Sequence, residues 1–160
     1  KFRMDPRDRG EQEQWPSLAA DALGSWKDVA VDPGTTPGEG VVRGNPFQGV
    51  GWYATRVRIP PDWKGRPVIL HFEGIVGACQ VYVNGKLALT QPGTASAEKQ
   101  KTFTARIEPF VDWQQKDQGV FVRIWNDVSA TGLQRRVWLL SEEPGAEQAP
   151  SANPPAAAGG

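Results

Sequence analysis

The chain holds one cysteine, one histidine and one methionine, its 18 basic side chains equal its 18 acidic ones, and it has no long apolar run. Each shortage excludes something. A lone Cys79 cannot close an intramolecular disulfide. Inside an alternating apolar stretch it reads as a small buried hydrophobe, which leaves the redox compartment open. Zinc sites of the histidine and cysteine kind are excluded by count. Balanced charge supplies no basic field for phosphate backbones or anionic lipid, so neither nucleic acid nor a membrane is an expected partner. No apolar stretch approaches the roughly 20 residues that span a bilayer. At 160 residues one domain is expected, able to bury roughly two thirds of its unfolded surface. Opening on Lys1 rather than Met, the chain is expected to be a mature or excised segment, with an extracytoplasmic setting, secreted or periplasmic, as the expectation.

Signatures of chemistry are equally sparse. His71 lies in a strand pattern with Ile69 and Glu73 on its own face, and no G-x-S-x-G nucleophile elbow occurs anywhere. Gly49-Val50-Gly51 precedes a strand pattern rather than a helix, which removes a phosphate-loop reading. Asp5 and Asp8, in the polar opening FRMDPRDRGEQEQW, fall short of the oxygen set a calcium ion needs and read as a solvated turn. No cofactor is expected.

What the sequence does have is β patterning, centred on VILHFEGIVGACQVYVNGK from Val68 to Lys86. Val68, Leu70 and Phe72 alternate with Ile69, His71 and Glu73, and a second alternation runs from Ala78 to Val83. Asn84-Gly85 then predicts a two-residue type I′ turn, because both central positions need positive φ, and the return strand starts at Lys86. Trp52 to Ile59 predicts a strand with Tyr53, Thr55, Val57 and Ile59 on one side. Trp52, Ala54, Arg56 and Arg58 lie on the other, which the arginines mark as the wetter face. Further strands are expected over Trp26 to Val31, Thr102 to Ile107, Val120 to Trp125 and Arg136 to Leu140.

Between the strands, Ser17 to Gly24 reads as a short helix capped by Ser17. Asp32 to Gly40 reads as an exposed loop, and Gln91 to Lys101 as a polar one. The organisation predicted is an N-terminal arm over 1–25 packing on a sandwich over 26–140. A Pro/Ala/Gly-rich tail or linker follows from Ser141 to Gly160, with too little apolar pattern to offset chain entropy. About eight or nine strands separated by turn signals point to an all-β antiparallel sandwich.

Several motifs stand in a fixed order: D-P-x-D-x-G at Asp5 to Gly10, GVGWYATRVRIPPDWKGRPVILHFEG from Gly49, V-Y-V-N-G at Val81 to Gly85, VFVRIWN and GLQRRVWLL. Together they resemble the amino-terminal sugar-binding domain of family 2 glycoside hydrolases, the β-galactosidase, β-glucuronidase and β-mannosidase group. The resemblance implies a galactose-binding-like jelly roll. It also implies no catalysis by this chain, because the two carboxyl groups that glycoside hydrolysis usually takes lie in a separate barrel domain of the resembled enzymes. Two departures are visible. Val76 stands where some of those β-galactosidases carry an active-site Asn, and Leu87 to Gly93 replaces a frequent G-x-H-x-G-G segment.

Binding is the remaining chemistry. A sugar presents apolar C–H faces and a fringe of hydroxyls, so its site combines a flat ring with planar polar groups. Of the seven tryptophans, about four or five are expected in packing, with Trp63 and Trp113 in turns. If the topology follows the resembled family, the loops 43–48 and 126–136 close one edge, and the candidate contacts are Arg43, Asn45, Trp52, Asn126, Asp127, Gln134 and Arg135. Expected partners are a weakly bound carbohydrate of unknown class and a catalytic domain of the same or another chain. The alternative is a structural or protein-interaction module with no sugar site of its own.

Overall fold

The computed structural model describes residues 1–29, 31, 49–93, 101–126, 132–133 and 135–142, leaving aside the side chains of Lys101 and Asn126. The expected loop over Asp32 to Gly40 and the expected tail beyond 142 lie outside the described residues.

Nine strands are described: β1 Phe2–Asp5, β2 Gly49–Val57, β3 Val68–Val76, β4 Ala78–Val83, β5 Lys86–Gln91, β6 Lys101–Arg106, β7 Gln118–Asn126, β8 Gly132–Leu133 and β9 Val137–Ser141. They form two antiparallel sheets. The first has the order β1-β2-β7-β4-β5; in the second, β3 pairs with β6 on one side and with β8 and β9 on the other. This is the antiparallel β-sandwich expected from the alternation.

The alternation decides which side chains meet between the sheets. Val68, Leu70 and Phe72 of β3 face Tyr53, Val81, Val83, Val120, Val122 and Ile124 of the first sheet, all buried in one core. Removing each such aliphatic or aromatic side chain from water contributes about 1.5–3 kcal/mol, so this layer is the main favourable term in the fold. The predicted hairpin is present, with Val83 opposite Lys86 and positive φ at both Asn84 (50°) and Gly85 (81°). Asn84 also ties the turn to β7. Its Nδ2 donates to the carbonyl of Phe110 at 2.9 Å and to Oε1 of Gln118 at 2.6 Å, and its Oδ1 accepts from the Gly119 amide at 2.9 Å.

The N-terminal region departs most from expectation. Residues 2–5 are a strand of the first sheet rather than part of an arm, in register with Val50 to Tyr53 of β2. Ser17 to Gly24 is not one helix; it runs from the end of one 3-10 turn, Trp15–Ser17, into a second, Asp21–Ser25. The backbone turns extended at Leu18, after the first of these turns, and Trp15, Leu23 and Trp26 are each buried on the outer face of the first sheet against Val50, Trp52, Ala54, Tyr82 and Phe121. The rings meet edge to face, Trp15 on Trp26 at 5.5 Å and Trp26 on Phe121 at 6.1 Å between centroids.

The face of β2 expected to be wet is therefore covered. Trp52 and Ala54 are buried, and Arg56 donates to the Leu18 carbonyl, while Thr55 on the supposed dry side is exposed. Of the strand expected over Trp26 to Val31, residues 26–29 form none; Lys27 forms a single bridge with Phe2. β8, a two-residue strand, was expected to be loop.

Candidate functional site

The two loops expected to carry a sugar site leave the same end of the first sheet, because Gly49 at the start of β2 pairs with Asn126 at the end of β7. From there the chain crosses to the second sheet, where Gly132 and Leu133 pair with Val76 and Ile75. Gly132, at φ 132°, fits closely under Tyr53; a Cβ there would lie 2.7 Å from the Tyr53 hydroxyl. Burial pushes that hydroxyl up to about 12, with a hydrogen bond from the Leu133 backbone pulling the other way.

Of the seven expected contacts, Arg43, Asn45, Asp127 and Gln134 lie outside the described residues. Asn126 closes β7 at this rim, and Arg135 is exposed just before β9. Trp52 does not supply the exposed ring. It is 0% exposed, tilted against Tyr82 at 5.5 Å, and donates its indole N–H to Asp5 Oδ2 at 3.0 Å. The N-terminal segment, through Trp15, Leu23 and Trp26, covers the sheet face that was expected to be wet.

That covering is held by a polar clamp. Asp5, expected in a solvated turn, is buried and also accepts from the amides of Arg9 at 2.9 Å and Gly10 at 2.7 Å. Arg123, on the outer face of β7, donates to Asp8, to Glu11 Oε2 at 3.0 Å and to Gln80 Oε1 at 2.9 Å, with its guanidinium 4.1 Å from the centroid of Trp125. The oxygens that suggested a cation are engaged by the protein's own donors.

The outer face of the second sheet is different, because none of the described segments covers it in this way. β3 carries Ile69, His71 and Glu73 there. β6 adds Thr102, Thr104 and Arg106, and β9 adds Trp138 and Leu140, exposed by 43% and 44%. Register places His71 between Thr104 and Trp138. At Glu73-Gly74 the pairing of β3 changes: β9 ends its register at Phe72, β8 begins at Ile75, and the β6 register shifts between the same two residues. Such an irregularity re-aims side chains.

Glu73 is fixed at this point by three contacts. Its amide donates to the Arg136 carbonyl at 3.1 Å, its carbonyl accepts from Thr102 Oγ1 at 2.9 Å, and its Oε1 accepts from the Trp138 indole at 2.6 Å. The Arg136 guanidinium stands 5.7 Å from the Trp138 ring centroid. In the sequence Trp138 stands out only as part of the closing strand. Its signal was the alternation Val137, Trp138, Leu139, Leu140, which sends Trp138 outward once Leu139 is placed inward.

Between the sheets lies a cavity of about 310 Å³ lined by Val29, Val31, Tyr53, Thr55, Leu70 and Leu139 among others. Its walls are mainly aliphatic, which suits no hydroxyl-rich ligand.

No family model matches the chain. Over 40 residues it is 38% identical to a β-galactosidase of Thermoanaerobacter pseudethanolicus, a stretch amounting to 25% of this chain and 5% of that protein. Among solved structures, the apo β-glucuronidase of Ruminococcus gnavus superposes with a TM-score of 0.62 at 20% identity, covering 88% of this chain and 27% of that one. The same organism's β-glucuronidase in complex with uronic isofagomine gives 0.64 at 21% identity over the same shares. The chain spans about a quarter of the length of these solved relatives. In fold it resembles the amino-terminal sandwich of family 2 glycoside hydrolases.

Proposed function

We propose that this chain is a non-catalytic accessory β-sandwich domain of a glycoside-hydrolase-like multidomain protein, and that it contacts carbohydrate. The observation that carries the reading is the pair of shares in the comparison: 88% of this chain corresponds to only 27% of a β-glucuronidase, one domain's worth of a longer enzyme. Hydrolysis of a glycoside usually takes two carboxyl groups at a defined separation. Glu73, between Phe72 and Gly74, is held instead as an anchor of a strand irregularity and a neighbouring indole.

For the carbohydrate contact, the Gly49–Asn126 pairing supports convergence of the two loops, so Arg43, Asn45, Asn126, Asp127, Gln134 and Arg135 stay as the proposed rim contacts. Trp52 leaves that set because it is buried. The same burial favours a second reading, a module that braces a catalytic domain and binds no sugar at the rim.

Titration of the chain with methyl galactosides, glucuronides and mannosides, followed by NMR, tests the proposal. Binding should be weak, in the millimolar to tens of micromolar range or about 4–6 kcal/mol, because one small sugar offers few contacts. Asn126→Ala or Arg135→Ala should weaken it without unfolding the domain. If no sugar shifts any resonance at high millimolar concentration, the bracing reading takes its place.

A further inference from the structure

From the outer face of the second sheet, which no described segment covers, we infer a saccharide-binding platform, with Trp138 as the ring on which a pyranose stacks and Glu73, Arg136 and His71 as its polar fringe. This rests on the carbohydrate reading and gives it an exposed aromatic in place of the buried Trp52.

Three observations converge. First, Trp138 is exposed yet held in place. Its indole N–H is committed to Glu73 Oε1 at 2.6 Å, so the ring is oriented before any ligand arrives and little freedom is lost on binding. Second, the bond that fixes the ring also fixes the carboxylate. Glu73 Oε2 makes no hydrogen bond among the described residues and is available to accept from a sugar hydroxyl, a charge-assisted bond stronger than a neutral one. Arg136, beside the same ring, adds planar donors, and His71, Thr102 and Thr104 place further polar groups on the same face.

Third, the apolar surface continues along the strand. Leu140 is exposed two residues beyond Trp138 on the same face, and side chains so spaced stand roughly 7 Å apart. That is room for a second sugar ring, so the ligand class is a neutral oligosaccharide of two or more hexopyranose units lying along β9. A fringe holding Glu73 beside Arg136 has no strong field of one sign, which suits hydroxyls better than a polyanion.

The test uses the whole chain labelled with 15N, titrated with methyl β-D-glucopyranoside, methyl β-D-galactopyranoside and cellobiose. Expected is a saturable shift of the Trp138 indole N–H, assigned by its loss in Trp138→Phe, together with the amides of His71, Glu73 and Trp138 to Leu140. Cellobiose should bind more tightly than either monosaccharide. Trp138→Ala should weaken binding by about tenfold or more, with the melting temperature unchanged because the ring lies on the surface. Glu73→Gln keeps an acceptor for the indole and should weaken binding several-fold.

Shifts confined to Gly49, Asn126 and Leu133, with the Trp138 indole silent, would overturn this site while leaving the carbohydrate reading intact. An unchanged affinity in Trp138→Ala would overturn it too. Silence everywhere would overturn both.

Discussion

Trp52 donates its indole N–H to the buried carboxylate of Asp5 across 3.0 Å, and through that bond the N-terminal segment and the central sheet share one core. Three donors converge on Asp5, those of Arg9, Gly10 and Trp52, so removing the acceptor strands all of them at once. Asp5→Ala is expected to lower stability by about 2–4 kcal/mol, read from urea unfolding. A loss under about 0.5 kcal/mol, the range of an ordinary surface substitution, would mean that residues 5–10 are a solvated turn after all.

The hairpin turn and the N-terminal segment meet at one glycine. Gly85 has φ 81°, and a Cβ there would sit 2.3 Å from Ser17 Oγ, whereas nothing lies within 4 Å of a Cβ at Gly24. Gly85→Ala should therefore destabilise by about 1–3 kcal/mol and Gly24→Ala by little. Adding Ser17→Ala should recover part of the Gly85→Ala loss, about 0.5 kcal/mol or more, because it removes the clash but not the backbone strain. Equal effects at the two glycines would show that the turn does not pack on Ser17.

Tyr53 gives stability an alkaline dependence with a definite sign. Burial holds its hydroxyl protonated up to about 12 in the folded chain, while an unfolded tyrosine loses its proton near 10. The contribution is full below about pH 10 and is lost as pH rises toward 12, on the order of 2–3 kcal/mol in all. Comparing denaturation of the native chain and Tyr53→Phe across that window isolates it from other groups. Parallel pH profiles would mean that the hydroxyl is solvated.

The sequence made the sandwich legible wherever a period of two ran without interruption. Val68, Leu70 and Phe72, and Val120, Val122 and Ile124, alternate cleanly because each of their strands has one face on the core between the sheets. Asn84-Gly85 was legible because turn chemistry is local. The N-terminal layer was not: Trp15, Leu23 and Trp26 are three apolar residues in a mostly polar segment that forms no single helix, and only tertiary contact with Trp52 and Phe121 explains their burial. β8 was hidden for a related reason, since two residues carry no period, and its pairing with Ile75 and Val76 depends on the irregularity at Glu73. As for the candidate site, the pairing of Gly49 with Asn126 was legible through motif order, while the burial of Trp52 and the exposure of Trp138 followed from which sheet face is covered.

The domain is expected to recognise sugar without cleaving it, and one sample measures both. The chain is incubated with p-nitrophenyl β-D-galactoside and p-nitrophenyl β-D-glucuronide while protein resonances and free nitrophenol are followed together. The prediction is saturable shifts of protein resonances with nitrophenol release no faster than in buffer. Release above that background, disappearing in Glu73→Gln, would contradict that expectation and make Glu73 a catalytic acid.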